Sequence, residues 1–446
     1  MNNLDKVKKV VIIGAGLAGS ECAYKVATSL PNIDVIIYEM KPKKFSPAHH
    51  SENFAELVCS NSLKSSSITN ACGLLKKEME VMGSIMMDAA NISSVPAGQA
   101  LAVDRDIFSE YITKKIKALP NVKVIYEEAA DIKELAKDSI LVIATGPLTS
   151  EKLFDNINEL LGNDSLYFYD AAAPIVDRET IDMSVAYEMD RYSEVEGGDY
   201  INLPMNEEQY TDFYENLITA EQAERKAFDK LQLFEGCMPV EEMAKRGKKT
   251  LVFGPLKPVG LVNPHNGELP YAVVQLRSEN KEKTMYNLVG FQTSLKFGEQ
   301  DRVFKKIPGL ANAKFERYGV MHRNTFINAP KVLNDNFCMK DCSNIYFAGQ
   351  ITGVEGYVES AASGIFVALS IINRLKGGEY IHASSSTMIG SLAKHVSEEK
   401  KHYQPMNANF GIIKPLEHRI RDKQERYTKL AEIAMTEIKE FIDGIN

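Results

Sequence analysis

Two cysteines sit where a thiol could do chemistry. Cys59 lies in Phe54-Ala55-Glu56-Leu57-Val58-Cys59-Ser60-Asn61-Ser62, a polar turn. Cys237 lies in Phe234-Glu235-Gly236-Cys237-Met238-Pro239, where glycine and proline impose a turn. A thiolate is a strong nucleophile when exposed, whereas most cysteines packed in apolar surroundings are inert. Cys22, on a predicted helix, is expected to pack. The six cysteines show no paired metal spacing, because Cys338 and Cys342 lack a second pair. No metal is expected, and the scatter points to a reducing cytoplasm. His322-Arg323-Asn324 forms another polar cluster, with Arg323 suited to a phosphate; a surface loop is the plainer reading. Arg105, in Val103-Asp104-Arg105-Asp106, fits a helix cap or an ion pair as well as a functional role.

The strongest chemical signal lies nearer the start. Val10-Val11-Ile12-Ile13 is a β-branched run, as expected for a parallel strand buried on both faces. It enters Gly14-Ala15-Gly16-Leu17-Ala18-Gly19, then a helical stretch to about Leu30, then a second buried run, Val35-Ile36-Ile37-Tyr38, ending at Glu39. Gly14 suits the tight turn, Gly16 the approach of backbone to a pyrophosphate, and Gly19 close packing of helix on strand. Free N–H groups at the helix start favour phosphate. Glu39, 20 residues past Gly19, is placed to accept ribose hydroxyls. These pieces predict a dinucleotide site.

Late in the chain, Ile345-Tyr346-Phe347-Ala348-Gly349 reads as a buried strand. Gln350-Ile351-Thr352-Gly353-Val354-Glu355-Gly356-Tyr357 and a helix from about Glu359 to Leu375 follow. Such a returning helix can aim its positive end at a flavin ring, which favours FAD over a nicotinamide dinucleotide. Ile140 to Ala144, running into Thr145-Gly146-Pro147, supplies another parallel edge.

The totals set bounds on the elements that hold these groups. A chain of 446 residues exceeds one ordinary core, and 44 % hydrophobic with 25 % charged content is globular. No apolar run reaches the roughly 18 residues of a membrane span, so no membrane is expected. We expect an α/β fold with a Rossmann-like, glutathione-reductase-like FAD domain interrupted by an α+β insert. The predicted bounds are 1–180, 181–300 for the insert, and 301–446. Within the insert, 206–233 reads as an acidic helical region. Leu251 to Phe253, Tyr271 to Leu276 and Tyr286 to Val289 read as strands. Ala383 to Thr387 reads as a mobile loop. The net charge of −8 repels polyanions overall, so a nucleic acid would need local patches. Candidates are Lys41, Lys43 and Lys44; Lys245, Arg246, Lys248 and Lys249; and Arg419, Arg421, Lys423, Arg426 and Lys429.

Several long motifs then go beyond composition. GAGLAGSECA, FAELVCSNSL, VPAGQALAVDRD, YDAAAPIVDRETID, FEGCMPVEEMAKRG, FGPLKPVGL, YNLVGFQT, RYGVMHRNTFINAP and FAGQITGVEGYVESAASG run nearly end to end. On them the chain closely resembles TrmFO, the folate- and FAD-dependent RNA uracil-5-methyltransferases. The neighbouring GidA-type family is longer, with an additional C-terminal domain for which 446 residues leave little room. The resemblance implies methylation of C5 of a uridine in structured RNA, by default the T-loop uridine of tRNA. A thiolate adding at C6 makes C5 nucleophilic. In the family, one carbon of methylenetetrahydrofolate is carried on reduced flavin N5, attacked by C5 and reduced by flavin hydride; NADPH or NADH recharges the flavin.

By the same resemblance, Cys237 matches the C6 nucleophile and Cys59 the cysteine beside the flavin, although the two roles could be exchanged. It places FAD on Gly14, Ala15, Gly16, Ala18, Gly19, Glu39, Met40, Asn61, Ser62, Gly146, Gly349, Gln350, Gly353, Val354, Glu355, Gly356 and Tyr357. Folate or substrate falls to Ser294, His322, Arg323 and Asn324. Two departures stand out. Ser294 replaces an expected pterin-stacking histidine, with Phe297 where a tryptophan is expected. Thr387 to Val396 also differs from the family pattern in a stretch expected to touch RNA. A paralogue acting on large-subunit (23S) ribosomal RNA, or a small-molecule FAD oxidoreductase, remains an alternative.

Overall fold

The computed structural model describes residues 7–129, 131–162, 165–171, 173–191, 197–223, 238–319, 321–400 and 403–445, with backbone alone for 165–171 and 321–323. The opening apolar run forms the strand Lys9–Ile13, whose last four residues are buried. It is the middle of a five-stranded parallel sheet. Ile140–Ile143 and then Ile345–Phe347 lie on one side, Asp34–Tyr38 and then Val122–Ile125 on the other. This is the expected Rossmann-like arrangement. The helix Leu17–Ser29 follows the first strand, and the late helix is Tyr357–Leu375. That late helix is long and apolar enough to cross a bilayer, yet most of it is buried in protein. Gly364 is where it crosses the first helix, since a Cβ there would stand 2.2 Å from the Ala18 carbonyl oxygen.

A second core is built on a six-stranded sheet, ordered Tyr187–Glu188, Tyr200–Met205, Ala272–Ser278, Met285–Leu288, Ile175–Asp177, Phe315–Arg317. All its pairings are antiparallel. The inserted unit is therefore wider than 181–300 at both ends. Val176 pairs with Phe315, and the core runs from Ala173 to Ala313 with Phe315 packed against it. Two three-residue strands carry too little periodicity to be read alone; only their mutual pairing assigns them.

Other local readings change for similar reasons. The acidic region begins as expected, with Asn206 and Gln209 forming a reciprocal capping box, but its helix is Glu207–Thr219. Residues 224–233 of that region lie outside the described ones. Leu251 to Phe253 belongs to a short helix, Thr250–Phe253, instead of a strand. The six residues between Gly247 and Gly254-Pro255 give neither periodicity room to show. Tyr271 to Leu276 and Tyr286 to Val289 do fall on strands.

The segment Ala383 to Thr387 is tied down. Ser385 O accepts from Lys414 N at 2.8 Å, and Thr387 caps the helix Met388–Ser397 by accepting from Gly390 N at 3.0 Å. Buried Glu78 accepts from Met388 N and Ile389 N at 2.7 and 2.8 Å. This helix, expected to touch RNA, packs most of its residues in the core. His395 is buried there. Its Nε2 donates to Gln404 O at 3.0 Å, Nδ1 faces the Lys400 ammonium, and the ring lies 5.3 Å from that of Tyr403.

Burial first, and the Lys400 charge second, hold the His395 pKa down at about 4. An unfolded histidine titrates near 6.5, so between these values the unfolded chain binds a proton that the native one refuses. Stability from this residue is present above pH 6.5 and lost as pH falls toward 4. Denaturant unfolding should show about 2 kcal/mol less stability at pH 5 than at pH 7 from His395. His395→Gln should remove that increment; identical pH slopes in the two proteins would rule it out.

Candidate active site

The cleft opens where the first strand meets its helix. Gly14 takes φ +97°, and its Cβ would stand 2.6 Å from the Ala144 carbonyl oxygen on the adjoining strand. A Cβ on Gly19 would stand 1.9 Å from Gly14 O, so the helix sits against its own entry turn. By contrast, a Cβ on Gly16 meets nothing within 4 Å. Gly16 therefore fronts open space at the helix N-terminus, as a phosphate requires. Glu39 is buried at the end of the second strand. Its Oε2 accepts from Ala15 N and its Oε1 from Lys41 N, both at 2.9 Å. Each oxygen keeps lone-pair capacity for a ribose hydroxyl.

An open cavity of about 1090 Å³ runs from this turn past Met40, Thr145, Gly146 and Thr149 to Gly349, Gln350, Tyr357 and Ser360. The residues fit a bound FAD: an open helix N-terminus that would take phosphate, a buried acid at the second strand's end that would take a ribose hydroxyl, and an apolar-walled slot. Lys41, Glu127, Glu128, Thr149, Leu153 and Ser360 line it too, and the sequence reading missed them. Ser363 Oγ accepts from Gly349 N at 2.7 Å and fixes the turn before the late helix. The signal for it was the small-residue run Ser360-Ala361-Ala362-Ser363-Gly364.

Some predicted cofactor residues stand behind the wall instead. Gly19 packs the helix. Gly353 accommodates Tyr403, whose hydroxyl donates to Thr352 O at 2.5 Å, and Val354 is buried. Glu355 Oε2 accepts from Gln350 Nε2 at 2.6 Å, and Gly356 caps the late helix. Ser62 accepts from Lys64 N in the strand Ser62–Ser65. Asn61 is fully buried: its Nδ2 donates to Val103 O and Ser278 O at 3.1 and 2.8 Å. It is a pin between the two cores, and its amide is used up.

Val58, next to Cys59 in the chain, forms part of the cavity wall. The Tyr357 hydroxyl accepts from Cys59 N at 2.6 Å and Ser60 N at 3.2 Å. Burial, and then the Cys59 sulfur, push the Tyr357 pKa far up, so the phenol stays neutral. Three arginines from three elements grip this turn. Arg105 Nη1 donates to Leu57 O at 2.7 Å, and Arg317 Nη2 donates to Val58 O. Arg277 donates to Ser60 Oγ at 2.7 Å and Asn61 Oδ1 at 3.0 Å. Glu279, buried, meets Arg105 Nε at 2.7 Å. Arg105 thus both pairs with an acid and positions the turn. Arg277 and Arg317 were not singled out in the sequence, although Arg317 opens the motif RYGVMHRNTFINAP.

A family model described as "Glucose inhibited division protein A" matches residues 9–379. Methylenetetrahydrofolate–tRNA-(uracil-5-)-methyltransferase TrmFO of Fusobacterium nucleatum is 55 % identical, covering 98 % of this chain and 100 % of its own length. The chain belongs to the TrmFO family. The same-named proteins of Enterococcus faecalis and Acetivibrio thermocellus are 54 % and 55 % identical over 96 % and 97 % of the chain, and 97 % and 98 % of theirs. Among solved structures, Aquifex aeolicus GidA matches with a TM-score of 0.67 at 17 % identity, covering 100 % of this chain and 76 % of that one. It supports the fold alone.

Against that family, the folate candidates separate. Ser294 is buried, and its N and Oγ donate to Glu241 at 2.7 and 2.5 Å, with Thr293 Oγ1 donating at 2.9 Å. These bonds tie it to the helix Val240–Lys245. The aromatic surface nearby belongs to Phe297, 55 % exposed and stacked on Tyr318 at 5.1 Å. His322, Arg323 and Asn324 lie in the strand Met321–Ile327, paired with Ser165–Ala171, instead of a loop. Asn324 is buried, and the side chains of His322 and Arg323 lie outside the described residues. Cys237 also lies outside them. Cys22 packs as expected, fully buried.

Proposed function

We propose that this protein methylates C5 of a tRNA uridine in the cytoplasm, with methylenetetrahydrofolate as carbon donor, FAD as cofactor and NADPH or NADH as reductant. The observation that carries the reading is the thiol-bearing turn at the end of the dinucleotide cleft. Val58 walls the cavity and Tyr357 holds Cys59, in a chain 55 % identical over 98 % of its length to a tRNA uracil-5-methyltransferase. Bound FAD supplies the redox chemistry of the one-carbon unit. This chain's own residues do the rest. The phosphate turn and Glu39 would anchor the adenosine half. Tyr357 keeps its proton beside Cys59. The arginine grip fixes Cys59 relative to the cleft.

We assign Cys237 as the thiolate that adds to C6 and Cys59 as the group beside the flavin. The relatives cited carry tRNA in their names, which favours tRNA over ribosomal RNA and over a small molecule. The test is transfer of labelled carbon from methylenetetrahydrofolate to a tRNA transcript. Cys237→Ala should fall below about one-thousandth of the wild-type rate while keeping its flavin spectrum. Label in ribosomal RNA alone would overturn the substrate, and full activity of Cys237→Ala would remove that thiol from the reaction.

A further inference from the structure

In a chain of net charge −8, residues 243–267 hold Lys245, Arg246, Lys248, Lys249 and Lys257 and no acid at all. These five cations are exposed. Lys245 is occupied by Glu242 at 2.8 Å. Lys248, Lys249 and Lys257 lie along Gly247 to Pro258 with their side chains in solvent. Interleaved with them are apolar side chains that the fold leaves uncovered. Phe253 is 78 % exposed, Val259 43 % and Val262 47 %. A solvated lysine face needs no exposed phenylalanine. An apolar protein interface would not be ringed by the exposed Lys248, Lys249 and Lys257 in an acidic molecule. Cations alternating with a bare aromatic ring match phosphates alternating with base faces.

The surface is held firmly relative to the Cys59 turn. Leu256 O accepts from Val273 N at the start of the strand Ala272–Ser278, while Arg277 and Ser278 at its end hold Ser60 and Asn61. Four residues of strand separate these contacts, about 13 Å.

We propose that the segment 245–262 is the RNA-docking surface of this enzyme, with Lys248, Lys249 and Lys257 on phosphates and Phe253 stacked on an unpaired base. This rests on the reading of the protein as a tRNA methyltransferase and names the face that receives the tRNA. The test uses flavin-loaded full-length protein, a tRNA transcript, and two variants: K248A/K249A/K257A and Phe253→Ala.

The triple variant should weaken tRNA binding at least tenfold at 0.1 M salt. It should also reduce the slope of log affinity against log salt by about two to three, since each phosphate contact contributes roughly 0.7–0.9. Phe253→Ala should weaken binding about tenfold with the slope unchanged, because a stacking contact releases no counterion. In both, KM for tRNA should rise while kcat and RNA-independent NADPH oxidation stay at wild-type values. Unchanged tRNA affinity and slope in the triple variant would overturn the docking surface. So would loss of binding to anionic phospholipid vesicles without loss of tRNA binding. If the wild type binds the transcript through these residues yet transfers no carbon to it, the docking surface stands and the proposed activity fails.

Discussion

A Gly19→Ala protein should purify without its yellow colour. The added methyl would stand 1.9 Å from the Gly14 carbonyl oxygen, which is backbone and cannot swing away. Relief requires the helix Leu17–Ser29 to slide off the strand that feeds it. That movement separates the helix N-terminus from the turn that presents N–H groups to phosphate. We expect flavin content below about a tenth of wild type and a loss of about 1–3 kcal/mol in stability from overpacking. Gly16→Ala makes the contrasting case. Its methyl meets nothing within 4 Å, so the flavin-free protein should unfold at the wild-type denaturant midpoint. It should nevertheless bind FAD weakly, because the methyl fills the space a pyrophosphate needs. Flavin absorbance and denaturant midpoints on both variants separate the two effects. Wild-type flavin affinity in Gly19→Ala would show that the helix does not need this close approach.

Arg105→Ala should be the most destabilising change outside the flavin site. Glu279 is almost wholly buried and Arg105 largely so, with Nε and Oε2 2.7 Å apart. Removing the cation leaves a buried carboxylate without its ion-pair partner, and breaking such a pair costs about 3–5 kcal/mol. It also frees Leu57 O, so the Cys59 turn loses one of its three arginine anchors. The double variant Arg105→Leu with Glu279→Leu should recover most of the stability, since it removes both charges together. Its methylation should stay low, because the anchor on Leu57 is still missing. Unfolding midpoints and single-turnover methylation rates check both halves. A single variant within 1 kcal/mol of wild type, or a double variant no better than the single, would show that the pair does not matter.

The chain itself determined the dinucleotide half of this protein. Val10 to Glu39 is contiguous, and each requirement of a phosphate site falls on a neighbour: a tight turn, an open helix end, an acid one strand later. Gly349, Gln350 and Tyr357 were legible for the same reason, as a second strand–turn–helix. The long motifs also placed the chain in its family. What folding alone decided is how the two cores meet around Cys59. Asn61 and Arg277 are 216 positions apart, yet one side-chain hydrogen bond joins them. Arg317 sits on a three-residue strand that exists only through its pairing with Ile175–Asp177. The partner of Ser294, Glu241, lies 53 positions away and could not be read from its own turn of chain. The stretch Thr387 to Val396 was expected to touch RNA, and its helix packs mostly in the core. Local patterns report what a residue does for its own turn of chain. The partners of a buried polar group come from distant segments, and only the closed tertiary structure brings them within hydrogen-bonding distance.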